Sequence, residues 1–376
     1  MNYSTVMMDT LWSDGTTLEI WHKIETETLA AQARTGLIPQ EWADTARATP
    51  APSLNAWRLA KEQTNHEVTA YLQATKLDHI HIGLTSSDLV DTANAYRICI
   101  ANAVIRTHVE IVTSALNATA EENKNTERLA RTHGQPAIPD TIGRRFNVLA
   151  EQIARCSFSI TDIPGKISGP VGSYRHITPE VEQQVLSELG MWETADGEAP
   201  GPPACSQIVP RDFYSRWAWG MADLVSSCAA VGLEVRLMAA HQEAREGRPV
   251  GYTGSSAMPH KHNPNRSERL TGLGRIARSA AFAISEGIEQ WQDRDLAHSS
   301  VERTYLPMLC GLADHALYLV AEILVWLEFN DANLRQNLSN AGREPYSHDH
   351  LTMLLREGTP YAQAVERTQQ WVHEGV

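Results

Sequence analysis

The sequence predicts an all-α protein built as a bundle of long helices, and three observations carry that prediction. Alternating Val/Ile/Thr runs bounded by turns hardly occur, whereas long Ala-, Leu-, Arg- and Glu-rich stretches recur. Several of those stretches run for roughly 30 residues, against a mean helix of about 11–12. Their apolar residues spread around much of the helical circumference. A helix of that kind is buried on more than one side, which in a soluble protein points to a subunit interface.

The elements follow in order. The first helix begins near Asp14, read as its N-cap, carries Leu18, Trp21, Thr28 and Leu29 near one face, and stops at Gly36 ahead of Pro39. Segment 88–121 holds neither Pro nor Gly, and Leu89, Ala93, Tyr96, Ile100, Val104, Ile111 and Leu116 recur at helical intervals. Further helices are expected over 142–160, 213–246, 267–291 and 299–329. Within 213–246, Trp217, Trp219, Met221, Leu224, Val225, Val231, Leu233 and Leu237 are apolar on more than one face. Segments 132–139, 164–179, 196–210 and 247–264 are punctuated by Gly and Pro and read as loops. The expected division is an N-terminal helical domain over 1–86, a central long-helix bundle over 87–337 and a short C-terminal helical domain over 338–376.

Composition narrows the function. The 376 residues include 32 Lys+Arg and 45 Asp+Glu, and 32 − 45 = −13, which argues against a protein that coats nucleic acid or a membrane surface. Only six of the basic residues are lysines (23, 61, 76, 124, 166 and 261), so a lysine in an unusual setting stands out. Five scattered cysteines without a CxxC pair suggest neither a disulfide framework nor a zinc cluster. No stretch approaches the roughly 20 apolar residues of a membrane span, and no basic-then-apolar leader opens the chain. The expected location is the cytoplasm.

Loops carry chemistry more often than helix interiors do. Segment 247–264 reads Gly-Arg-Pro-Val-Gly-Tyr-Thr-Gly-Ser-Ser-Ala-Met-Pro-His-Lys-His-Asn-Pro. Its glycines and prolines make it non-helical. Ser255 and Ser256 supply hydroxyls, while Lys261 and Asn263 supply donors between two histidines and beyond. The plain structural reading is a polar connection between helices. The functional reading is a loop that closes over a ligand and brings a cation to a carboxylate.

Gly254-Ser-Ser-Ala-Met-Pro-His-Lys-His-Asn-Pro264 resembles the signature of the fumarase/aspartase superfamily. Arg131-Thr-His-Gly-Gln-Pro136, His81-Ile-Gly-Leu-Thr-Ser-Ser-Asp88, Gly165-Lys-Ile-Ser-Gly-Pro-Val-Gly172 and Arg294-Asp-Leu-Ala-His-Ser-Ser-Val-Glu-Arg303 resemble its adenylosuccinate lyase branch. The likeness runs from about Tyr3 to Trp371. It implies a long-helix bundle assembled as a homotetramer, and a reaction that eliminates fumarate from a succinylamino nucleotide without metal or cofactor. Adenylosuccinate is the expected substrate, with the succinylated aminoimidazole carboxamide ribotide of purine synthesis as a second.

The chemistry of such an elimination needs a base for a weakly acidic proton, donors for the resulting dianion and an acid for the departing nitrogen. By the resemblance, Ser255 is the base, activated by the closed loop and Lys261. Lys261 and Asn263 hold the dianion, and Ser256 and Met258 line the same loop. His133 is the general acid and Glu268 orients it. Thr85 and Ser86 hold a carboxylate with hydroxyls and helix-terminal amides, a role compatible with N-capping by Ser86 or Ser87. Arg294, Ser299 and Arg303 form a phosphate clamp. Ser299 and Arg303 share a helical face. The structural alternative is a solvated salt-bridge set with Asp293, Asp295 and Glu302. His66, His81, Gln207 and Tyr3 match further active-site positions.

Three departures stand out. Asn2 and Asn65 occupy positions where the resembled enzymes carry Arg, and the C-terminal helical region is short. Two other functions therefore remain open: release of fumarate from a different succinylamino compound, such as a modified nucleotide or a secondary metabolite, and an inactive scaffold.

Overall fold

The computed structural model describes residues 3–191, 203–247, 257–258 and 260–374. Helix α1 covers Val6–Leu11 and α2 Asp14–Arg34. The cap of α2 is Ser13, not Asp14, because the Ser13 hydroxyl accepts from the Thr16 N–H at 3.2 Å. Leu18, Trp21, Thr28 and Leu29 are all buried, as the spacing predicts. Helices α3 (Gln40–Ala48), α4 (Leu54–Thr64) and α5 (Glu67–Thr75) follow. Asn65 ends α4 at φ 50°, in the left-handed region where Asn is second only to Gly. Local backbone geometry thus gives this asparagine a use of its own.

Helix α6 runs Ser86–Glu122. Its buried stripe contains Leu89, Ala93, Ile98, Ile105, Val109, Val112 and Leu116, while Ile111 is more than half exposed. The expected stripe therefore drifted off the true one near its middle.

Segment 132–139, expected as a loop, is the heart of a β-hairpin. Strand β1 (Glu127–Thr132) pairs antiparallel with β2 (Gln135–Thr141), closing at Thr132↔Gln135. His133 and Gly134, at φ 55° and 75°, form the two-residue turn, and positive φ at both positions is the mark of a type I′ connection. Pro136 and Pro139 masked the strand in the sequence, yet a two-stranded ribbon tolerates prolines at its edge.

Helices α7 (Ile142–Cys156), α8 (Pro179–Glu188) and α9 (Arg211–Ala240) come next. Helix α9 is shorter than the expected 213–246. Gln242, at φ 57°, turns the chain, and β3 (Ala244–Glu246) follows. Helices α10 (Asn265–Ser285) and α11 (Ala297–Trp326) precede β4 (Leu327–Phe329), which pairs with β3 in the register Ala244↔Phe329. Helices α12 (Asp331–Asn340), α13 (Ser347–Arg356) and α14 (Tyr361–His373) finish the chain.

The residues group into two compact units. The first comprises Met1–Thr107, Phe158–Leu224 and Arg275–His315, the second His108–Ser157, Val225–Gly274 and Ala316–Val376. The core of the first gathers Leu18, Trp21, Ile24, Tyr71, Leu89 and Ile167. Buried ion pairs lie in the same unit. Lys166, wholly buried, donates to Asp88 at 2.5 Å. Arg211 meets both Asp91 and Glu302, joining α6, α9 and α11. In the second unit Phe146 meets Phe329 edge-on at 5.6 Å.

On α9, Trp217, Met221, Leu224, Val225 and Val231 are buried, whereas Trp219, Leu233 and Leu237 remain 39–51% exposed. An apolar face is thus left on a helix whose other face is already packed. Helices α6 and α11 are long and apolar enough to cross a membrane by length and composition, but Asp88, Asp91 and Glu302 on them are consumed by the buried ion pairs.

Candidate active site

Within the first unit, the turn before α6 is tied down by its own first helical residues. The Asp88 Oδ2 accepts from the Thr85 N–H at 2.8 Å, and the Asp88 N–H donates to the Thr85 carbonyl at 2.9 Å. The other Asp88 oxygen takes Lys166 Nζ and the amides of Ser168 and Gly169. The segments around Thr85-Ser86 and around Lys166-Gly169 are therefore joined through one carboxylate. Thr85 and Ser86 stay half-buried at the start of the helix. Thr85 immediately precedes the helix, and its backbone is bonded in both directions to Asp88 of the first turn.

Just upstream, His81 is gripped by Glu25, which is fully buried. The His81 N–H donates to Glu25 Oε2 at 3.1 Å, and its Nδ1 lies 2.6 Å from Oε1. A carboxylate only accepts, so Nδ1 carries a proton and, in the neutral ring, Nε2 holds the lone pair. Burial, followed by the Glu25 charge, pushes the nearby Tyr71 phenol well above its ordinary range. Gly83 fits this tight turn because a Cβ there would come 2.6 Å from the His176 carbonyl oxygen.

His66 has the opposite arrangement. It is the N-cap of α5, and its Nδ1 accepts from the Thr69 N–H at 3.1 Å. In the neutral ring the proton then sits on Nε2. As neutral rings, one histidine thus offers an N–H at Nε2 and the other a lone pair.

The expected phosphate clamp divides in two. Ser299 and Arg303 line a cleft of about 260 Å³ whose walls also include Trp12, Trp57, Glu67 and Arg97. Arg303 donates to Glu67 at 2.9 Å, and Lys61 reaches the same oxygen at 2.7 Å. Arg294 is not among those walls. It donates to Gln207 Oε1 at 3.1 Å, and the Gln207 side-chain amide donates to the Pro170 carbonyl. The alternative reading, with Glu302 as a solvated partner of these arginines, is overturned: Glu302 is buried and bonded to Arg211. Tyr3 is 39% exposed, with its ring 5.9 Å from that of His315.

Burial raises Glu302 to about 7 even though Arg211 pulls it down. Asp91 is also opposed by burial, but Arg211 and the Val209 amide win and hold it below the usual carboxylate range. One guanidinium cannot fully serve two carboxylates, so their affinities for a proton split. His298, one turn before Glu302, falls to about 4 through burial and the Arg211 charge.

In the second unit, the β1–β2 turn presents His133 to solvent at the hairpin tip. The hairpin is tied close to its tip by Arg131, which donates to buried Glu243 at 2.8 Å. The start of α10 is anchored by Glu246 from β3. Its carboxylate accepts from the amides of Arg266 and Ser267 at 3.0 Å and from the Ser267 hydroxyl at 2.7 Å. Such a carboxylate satisfies orphan donors and complements the helix dipole. Glu268 sits in that first turn, exposed, its N–H on the Pro264 carbonyl. Lys261 and Met258 are exposed and Asn263 is half-buried; the Lys261 N–H donates to the Met258 carbonyl at 2.9 Å. Among the described residues no hydrogen bond joins His133 to Glu268. Ser255, Ser256 and Asn2 lie outside the described residues.

Sequence reasoning did not single out Glu25, Glu67, Asn94, Arg97 or Arg211. Polar residues inside an apolar helix, as Asp91, Asn94 and Arg97 are in α6, were the available signal.

Comparison with known proteins gives the chain a family and a fold likeness. Residues 51–277 match the family described as Lyase. The chain is 31% identical to the adenylosuccinate lyase of Streptococcus mutans over 98% of its length and 86% of that protein. It is 33% identical to the adenylosuccinate lyase of Aquifex aeolicus, over 95% of this chain and 83% of that one. The fold matches the crystal structure of a fumarate lyase from Mesorhizobium sp. BNC1 with a TM-score of 0.83 at 20% identity, covering 99% of this chain and 86% of that chain.

Proposed function

The chain belongs to this lyase family and is a carbon–nitrogen lyase, and from that premise we propose that it eliminates fumarate from adenylosuccinate, giving AMP. The observation that carries the proposal is kinship with adenylosuccinate lyases along nearly the whole chain, not in one motif. The succinylated aminoimidazole carboxamide ribotide is the second expected substrate, which would make this a cytoplasmic enzyme of purine synthesis.

The step runs as follows. Ser255, deprotonated, takes the Cβ proton of the succinyl group. The electrons are held as a dianion by Lys261 and Asn263, with Ser256 and Met258 alongside in the same loop. The Cα–N bond then breaks, the Cα=Cβ double bond of fumarate forms, and His133 gives its proton to the departing nitrogen. Glu268 orients His133. Thr85 and Ser86 hold a succinyl carboxylate. His66 donates from Nε2 and His81 accepts at Nε2, a complementarity supported by their opposite hydrogen-bonding partners. Gln207 and Arg294 act as a bonded pair, Tyr3 adds a contact at the nucleotide, and Ser299 and Arg303 take the phosphate.

A homotetramer completes the proposal. Exposed Trp219, Leu233 and Leu237 on α9, with Ile276 and Phe282 on α10 and Val325 on α11, support helix-to-helix contact between copies. Purified protein incubated with adenylosuccinate should release fumarate. Release from another succinylamino compound but not from adenylosuccinate would overturn the substrate. No release from any of them would favour the inactive scaffold.

A further inference from the structure

The cleft beside Ser299 and Arg303 is lined by a cation that, among the described residues, no carboxylate answers. Arg97 on α6 is 6% exposed yet lines the cleft. Its Nε donates to the Ala93 carbonyl at 3.2 Å, Nη1 to the Thr17 hydroxyl at 3.0 Å and Nη2 to Asn94 Oδ1 at 3.0 Å. All three acceptors are neutral. Of the five N–H groups of a guanidinium, one remains on each terminal nitrogen.

The carboxylates in the same walls are already matched. Glu67 serves Lys61 and Arg303, Glu302 serves Arg211, and Asp14 faces Arg58 at 3.6 Å. Partial relief comes from the Trp12 ring, 4.6 Å from the guanidinium carbon. Buried charges are otherwise paired, and the strain of this one is visible in its proton affinity, which burial lowers to about 10.

We infer that Arg97, steadied by Asn94 and Thr17, is a substrate-binding residue that takes the phosphoryl group of the substrate jointly with Arg303 and Ser299. A phosphate monoester brings close to two negative charges and three acceptor oxygens, which suits two arginines and a hydroxyl. The cleft volume of about 260 Å³ falls below the roughly 300–1,000 Å³ of sites that enclose a whole small molecule, so it receives one end of a larger one. Arg97 thereby becomes a determinant of selectivity for phosphorylated over dephosphorylated succinylamino compounds.

The assignment rests on the proposed nucleotide substrate, but it can be tested without turnover. Calorimetric titration of the intact protein with inorganic phosphate should show binding that Arg97→Met weakens by about tenfold or more, and Arg97→Lys by less, since lysine keeps the charge but loses the fork. Without phosphate, Arg97→Met should melt at or above the wild-type temperature, because an unanswered buried charge has been removed. Absence of phosphate binding to the wild type overturns the assignment. So does equal affinity in either variant, and so does a lower melting temperature with wild-type affinity, which marks a structural arginine. If Arg97→Met does not fold, the comparison of Arg97→Lys with wild type decides. In turnover, Arg97→Met should raise KM for adenylosuccinate by about tenfold with kcat nearly unchanged, and leave succinyladenosine unaffected. If no succinylamino compound releases fumarate, the proposed reaction falls while the phosphate titration still decides the role of Arg97.

Discussion

The Arg211 guanidinium grips Glu302 side-on, with Nε 2.7 Å from Oε1 and Nη2 3.1 Å from Oε2. Its remaining edge holds Asp91 at 2.7 and 3.0 Å. Arg211→Met would strand two buried carboxylates. We expect a loss of about 3–5 kcal/mol in urea denaturation, as for other broken buried pairs. Replacing all three residues by apolar ones of similar size should recover most of that loss, and failure to do so would show that the cluster's shape matters more than its charge.

The same cluster sets a pH dependence. Glu302 is raised from 4.5 to about 7, so the folded chain keeps a proton the unfolded chain has released, and this contribution is full below pH 4.5 and lost as pH rises towards 7. His298 is lowered from 6.5 to about 4, so its contribution is present above pH 6.5 and lost as pH falls towards 4. In the wild type the two slopes oppose one another. Relative to wild type, His298→Gln should lose stability by about 1.4 kcal/mol per unit as pH rises across that histidine's window. Glu302→Gln should gain by a similar slope. Parallel profiles for all three proteins would refute the opposition.

His133 occupies a type I′ turn at φ 55° and is followed by Gly134. Asn-Gly is the preferred pair for that turn. His133→Asn should therefore fold as well as the wild type or better, while fumarate release falls by about 10²–10⁴-fold with loss of the acid. Retained turnover in the folded variant would remove His133 from the mechanism.

Asn65 tests whether its departure from arginine is conformational. At φ 50°, Asn65→Gly should raise stability slightly, whereas Asn65→Arg should cost about 1–2 kcal/mol for a side chain forced into the left-handed region. Equal melting temperatures for the two variants would count against the cap and turn attention to ligand contacts.

The helices were legible because apolar residues recur at their own period over long uninterrupted segments; Leu18, Trp21 and Leu29 fell where expected. The β1–β2 hairpin was not, since Pro136, Pro139 and Gly134 are loop residues by composition and only their pairing makes them a ribbon. Three-residue strands such as Ala244–Glu246 are too short for any alternation to emerge. At the candidate site, the motifs pointed to Ser299, Arg303, Gln207 and Arg294, but not to how they partner. That Glu302 turns inward to Arg211 while Glu67 answers Arg303 depends on residues 91 and 236 positions away. No local pattern encodes such distances.

The charges of α6 have a consequence for synthesis on the ribosome. Asp91 waits for Arg211, 120 positions downstream. At roughly 5–20 residues per second, that wait is on the order of 6–24 s, during which the nascent helix carries an acid that its final packing would otherwise bury alone. Water must therefore stay at that end of α6 until the arginine emerges. Burial of a charged Asp91 together with its partner is thus possible only after residue 211 has been made.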